Sequence, residues 1–119
     1  MATGDPILRV RREEGVTRIE FMKKDILDES NIQQIGEEIS TIIEQTDAPK
    51  ILVSFANVRH LSSAALGTLI TINNKIKNKN GMLRLSDIDP QIYEVFVITR
   101  LNQIFQIHES AADALESFR

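Results

Sequence analysis

Apolar and polar positions change their spacing several times along this chain, and each change marks an element. Ile7 to Arg12 and Val16 to Phe21 alternate apolar and polar around Glu13-Glu14-Gly15, the pattern of a β-hairpin with one solvated face. From Ser30 the spacing lengthens, and Ile32, Ile35, Ile39, Ile42 and Ile43 fall on one helical stripe. Ser30-Asn31-Ile32-Gln33 reads as a capping box at its start, and the helix is expected to run to about Gln45. After the loop Thr46 to Pro49, Ile51-Leu52-Val53-Ser54-Phe55 is nearly continuous in strand-favouring residues. A strand buried on both faces reads this way.

A turn leads from that strand to Leu61-Ser62-Ser63, after which Ala65, Leu69, Ile72 and Ile76 recur at spacings of four, three and four. This predicts a second helix with Ser62 as N-cap and Ser63 at the first helical position, where backbone N–H groups lack an intrahelical partner. A hydroxyl there lies near the surface. Asn80-Gly81 ends this helix ahead of a strand at Met82 to Leu85. Asp89-Pro90 sets an N-cap before a proline and opens a short helix expected to carry Ile92, Val95 and Phe96 inward. Val97 and Ile98 beyond them are assigned to core packing in preference to a partner surface. A last strand is expected at Ile104 to Ile107, then a terminal helix capped by Ser110 and packed through Ala111, Ala114, Leu115 and Phe118. A hairpin followed by helix–strand alternation predicts one α/β domain over residues 1–119, with residues 1–6 flexible. Its sheet is mixed, of four to five strands, with about four helices packed mainly on one face.

Composition narrows the function classes. At 119 residues, 42% hydrophobic and 26% charged, the chain has the make-up of a soluble folded domain. A net charge of −3 leaves no electrostatic footprint for nucleic acid, so direct nucleic-acid binding is not expected. No apolar run approaches the roughly 20 residues of a membrane span, and Met1 to Pro6 lacks the basic start and apolar core of a signal peptide. Neither membrane insertion nor secretion is expected. The absence of cysteine fits a cytoplasmic location. Lys75, Lys77 and Lys79 fall where cations complement the C-terminal end of the second helix.

Candidate chemistry is sparse. His60 and His108 have no partner at a metal-ligand spacing and read as a loop residue and a strand-end residue. The five glycines form neither phosphate-cradling motif, so no cofactor or metal is expected. With no cysteine and no Gly-x-Ser-x-Gly context around Ser62, no catalytic nucleophile is identified, and the chain reads as a non-enzyme. What remains is the Ser62-Ser63 pair at a strand-to-helix corner. It is either a helix cap alone or a modifiable switch. Phosphorylation would add about −1.5 to −2 charges, which a helix N-terminus tolerates, so a docked partner would feel the effect most.

The segment Leu61 to Gly67 resembles the signature of STAS-domain anti-sigma-factor antagonists, an apolar residue followed by Asp-Ser-Ser/Thr-Gly-Leu-Gly. Aligned without a gap, Ser62 falls on the family Asp, Ser63 on the phosphorylated Ser, Ala64 on the second Ser/Thr and Ala65 on the first Gly. Leu66 and Gly67 match directly. Ile26-Leu27-Asp28 is similar to the family's Gly-Glu-Leu-Asp segment, with Lys24 and Asp25 in place of Gly and Glu. Gly81 to Leu85, followed by Asp89-Pro90, resembles the last third of the domain. The departures are the missing acid at Ser62 and the alanine at position 65.

The resemblance implies a STAS-like fold and a cytoplasmic bacterial regulator. In its unphosphorylated form such a protein sequesters an anti-sigma factor, often itself a serine kinase, and so frees a sigma factor. Phosphorylation at Ser63 would end that binding and a serine phosphatase would restore it, with ATP and magnesium belonging to the kinase. Ser62 is the alternative phosphoacceptor. The implied partner face comprises Asp28, Ser62, Ser63, Ala64 and Ala65, on a monomer or weak dimer. Asp28 equally fits a plain helix-entry acid. The departures leave a second reading open, a non-switching scaffold of a stress-signalling complex or an accessory subunit of a lipid-transport system.

Overall fold

The hairpin forms as its alternation requires. In the computed structural model, which describes residues 7–119, β1 (Leu8–Glu13) pairs antiparallel with β2 (Val16–Phe21), from Leu8 opposite Phe21 to Glu13 opposite Val16. Glu14 and Gly15 turn the chain at φ of 53° and 82°, a left-handed conformation that glycine adopts without steric cost. The flexibility expected of residues 1–6 lies outside the described residues.

Three further strands, β4 (Lys50–Ser54), β6 (Met82–Ser86) and β7 (Gln106–His108), add to β2 in parallel, giving the order β1-β2-β4-β6-β7. The sheet is mixed and five-stranded. The helices α1 (Glu29–Glu44), α2 (Ser63–Asn78) and α3 (Pro90–Ile98) connect successive strands, and α4 (Ala111–Glu116) closes the chain. Ile19, Phe21, Ile51, Val53, Leu83 and Leu85 point to the face covered by α1, α2 and α3. Val16 and Leu52 point the other way, under Ala114 and Phe118 of the terminal segment. Covering β4 on both sides explains why Ile51, Leu52 and Val53 are all apolar and wholly buried.

α1 buries Ile32, Ile35, Ile39 and Ile43 as its stripe predicts. Its cap is Asp28, however, and not Ser30: the Asp28 carboxylate accepts hydrogen bonds from the Ser30 N–H at 2.8 Å and the Ser30 hydroxyl at 2.7 Å. A charged acceptor facing the helix N-terminus gains both the capping bond and the dipole attraction, which a neutral serine two residues later cannot match. Lys75 and Lys77 lie in the last turn of α2, as expected, and the lysine cluster also reaches α1. Lys79 Nζ donates to the Ile43 and Glu44 carbonyls, both at 3.1 Å, and Lys75 Nζ donates to Ser40 Oγ at 2.9 Å. Lys79 caps the C-terminal end of α1, and both lysines tie α1 to α2.

The region around α3 departs further from expectation. Only Ile92 and Phe96, one turn apart, face the core, while Val95, Val97 and Ile98 are exposed, Ile98 by 79%. A nine-residue helix at the end of the sheet has one narrow stripe to bury. Phe96 packs edge to face on Phe105 at 5.9 Å, and the chain reaches that contact through a 3-10 helix, Leu101–Gln103, with Leu101 buried. The turn absorbs residues expected in the last strand. β7 therefore starts at Gln106, and Ile104 is 45% exposed.

Candidate functional site

The site forms where two loops at the C-terminal ends of β2 and β4 meet. Two very short strands, β3 (Asp25–Ile26) and β5 (His60–Leu61), pair in parallel with Asp25 beside His60 and Ile26 beside Leu61. Their backbone is held by Arg59 N–H to Lys24 O at 2.7 Å and by Ser62 N–H to Ile26 O at 3.1 Å. His60 Nδ1 lies 2.6 Å from Asp25 Oδ1, so this histidine is a strand residue engaged across the pair and not a free loop residue. Asp28 and Ser63 each stand two residues beyond the last registered pair. The short ladder thus brings the starts of α1 and α2 together.

Ser62 caps α2 with extended backbone, φ −83° and ψ 164°, and its Oγ accepts from the Ala65 N–H at 3.2 Å. Its carbonyl accepts the Leu66 N–H at 3.2 Å. The Ser63 and Ala64 N–H groups have no partner among the described residues, as expected for the first two helical positions. Ser63 and Ala64 are exposed. Ala65, by contrast, is only 6% exposed; it turns its side chain into the core, and its N–H is taken by Ser62 Oγ. A hydroxyl and two N–H groups without partners among the described residues suit an added anion at that position.

Asp28 is exposed, and the Ser30 hydroxyl and N–H hold its carboxyl below its ordinary value, which favours the charged form. Beside Asp28, Leu27 is an apolar residue 54% exposed, to which the sequence reading gave no role at the surface. An apolar residue between Ile26, which is buried, and the capping Asp28 was the available signal. Arg59 forms an ion pair with Asp89 at 3.0 Å, linking the loop before Ser62 to the cap of α3. Gly67, on the next turn of α2, is exposed, and a Cβ added there would meet nothing within 4 Å outside its own helix turn. Among the described residues no three His, Asp or Glu side chains come together as a metal set, and no helix is long and apolar enough to cross a membrane.

The fold and site define a mixed-sheet α/β domain that presents a serine at the entrance of the helix following its central strand. The chain belongs to the STAS domain family, whose model matches residues 9–114. It is 21% identical over 89 residues to an anti-sigma F factor antagonist of Paenibacillus polymyxa, covering 75% of this chain and 76% of that protein. An anti-sigma-factor antagonist (STAS) domain protein of Planctomyces limnophilus has the same fold, with TM-score 0.82 at 22% identity, over 92% of this chain and 96% of the other. The Bacillus cell fate determinant SpoIIAA in its phosphorylated form superposes with TM-score 0.72 at 18% identity, over 94% of this chain and 99% of that one.

Proposed function

We propose that this protein is an anti-sigma-factor antagonist whose unmodified Ser63 face binds an anti-sigma factor acting as a serine kinase. Phosphorylation of Ser63 releases that partner and a serine phosphatase resets the surface. The observation that carries the reading is the exposed Ser63 at the first position of α2, beside two N–H groups that have no partner among the described residues, and following the β3–β5 ladder that also leads into the Asp28 cap. Family membership and the relatives' names support it. The domain acts as substrate and binder, in the cytoplasm, as a monomer or weak dimer, and the kinase brings ATP and magnesium. Burying a phosphate dianion in an interface without a cationic counterpart costs several kcal/mol, enough to dissociate a protein complex.

The test compares binding of the cognate kinase to unmodified protein, to protein phosphorylated at Ser63, and to Ser63→Ala. Unmodified protein and Ser63→Ala bind; the phosphorylated form does not. Equal affinity of all three sinks the proposal. A second reading, the non-switching scaffold or lipid-transport accessory subunit, draws on one observation, that Ser62 and Ala65 replace the family's Asp and Gly at the switch. A stable self-assembled particle or a copurifying membrane ATPase, with Ser63 unmodified throughout, would select it.

A further inference from the structure

The C-terminal ends of β4 and β6 hold a carboxylate that the Ser63 site does not use. The loops that follow these strands enclose a cleft of about 330 Å³ whose walls include Val58, Ile88 and Pro90. Asp87, the first residue after β6, lines the same cleft and is half-buried. Its φ of 59° is left-handed, a conformation that aspartate adopts more readily than most residues.

Two buried hydroxyls hold the Asp87 side chain. Ser86 Oγ donates to Oδ2 at 2.7 Å and Ser54 Oγ donates to the same oxygen at 3.3 Å; these serines are 0% and 1% exposed. The Ala56 N–H donates to Ser54 Oγ at 3.4 Å, which leaves the Ser54 proton for Asp87. Hydroxyls carry no charge, and among the described residues no Lys, Arg or His nitrogen lies within 4.0 Å of the carboxylate. Oδ1 accepts no hydrogen bond among the described residues and is not sealed from solvent. The other two charges on the cleft offset each other. Arg59 pairs with Asp89 Oδ2 at 3.0 Å, and Asp89 Oδ1 accepts from the Gln91 N–H at 2.9 Å. One negative charge is left over beside apolar walls, with one of its oxygens open.

We propose that this cleft receives a lysine side chain of a protein partner. An ammonium is a point donor on an apolar stem, so the stem lies against Ile88 and Pro90 while the charge meets Asp87 Oδ1. Arginine fits less well. Its fork is matched by a carboxylate with both oxygens free, and Oδ2 already accepts two hydroxyls. The neighbouring loop indicates which partner. Arg59 also lines the cleft, and its backbone N–H donates to Lys24 O in the ladder that leads into Ser63, so the cleft adjoins the Ser63 face. The partner's identity rests on the reading of that face as a kinase-binding surface; the preference for lysine does not.

The probes are the peptide acetyl-Ala-Lys-Ala-amide and its arginine and norleucine counterparts, titrated into isotopically labelled full-length protein. The lysine peptide is expected to shift the Asp87 carboxyl carbon and the Ile88 amide, the arginine peptide to bind more weakly, and the norleucine peptide to leave the carboxyl unmoved. Asp87→Asn keeps an acceptor for the two serines and a side chain that tolerates left-handed backbone, so the melting temperature should hold while lysine-peptide affinity falls about tenfold. No response to the lysine peptide, an equal carboxyl response to norleucine, tighter binding of arginine, or unchanged affinity in Asp87→Asn overturns the proposal. Calorimetry with the cognate kinase separates this proposal from the switch. Asp87→Asn should lower kinase affinity about tenfold with Ser63 unmodified. A kinase released by Ser63 phosphorylation but indifferent to Asp87→Asn overturns the lysine cleft alone, and one weakened by Asp87→Asn but indifferent to phosphorylation supports the cleft and overturns the switch.

Discussion

α1 and α2 start close together, yet their first turns are built differently. At α1 the Asp28 carboxylate takes both the Ser30 N–H and the Ser30 hydroxyl, so the positive end of that helix already holds an anion. At α2 the neutral Ser62 satisfies only the Ala65 N–H, and the Ser63 and Ala64 N–H groups point to no acceptor among the described residues. One start is self-contained and the other is open. The open one carries the exposed hydroxyl, which is where a transferred phosphate meets the least resistance from its own domain.

Disturbing the open start should have the largest effect, and on binding, not folding. Phosphorylation at Ser63, or Ser63→Asp, is expected to lower affinity for the kinase partner at least about 100-fold, near 2.7 kcal/mol. Calorimetric titration reads that loss, and a thermal melt within a few degrees of the parent shows that the fold survives. Next comes the closed start. Asp28→Ala should lower the midpoint of urea unfolding, and Ser62→Ala should lower it less, because only the carboxylate adds a charge–dipole contribution to the capping bond. Equal losses would erase the distinction between the two helices.

Gly67→Ala sharpens the comparison further along α2. Open space at this exposed helical position means alanine should raise stability by about 0.5–1 kcal/mol while weakening a partner that lies close against the helix. The smallest effect is in acid. Asp28 titrates below its ordinary value in the folded state, so its contribution is full above the unfolded carboxyl pKa and is lost as pH falls through the lower folded value. The Ser30 amide resonance should move in that window. The Ala65 amide, bonded to a hydroxyl that does not titrate there, should stay still.

Much of this architecture is legible in spacing. The five-isoleucine stripe of α1, the four-three-four spacing of α2 and the unbroken apolar run of β4 each produce the element they predict, because burial on one stripe or two faces leaves a periodic trace. What stays hidden involves contacts too short or too distant to leave one. β3 and β5 are two residues each and exist only by pairing across 35 positions of chain. Asp28 displaces Ser30 as cap because a charged acceptor wins when both are in reach, a competition that residue type alone does not rank. The start of β7 is masked because Leu101 and Phe105 serve the core through a 3-10 turn that mimics the apolar content of a strand. Of the candidate site, Ser62 as cap and Ser63 at the helix entrance follow from local pattern. The buried side of Ala65 follows from the same helical period, which puts it in line with Leu69, Ile72 and Ile76.

The most direct test of the central claim is phosphosite mapping by mass spectrometry on protein isolated from its native cells across growth and stress, with and without phosphatase treatment. The account predicts a phosphate on Ser63 whose occupancy changes with condition and disappears on phosphatase treatment. A protein unmodified under every condition, or modified at Ser62 in place of Ser63, would contradict it.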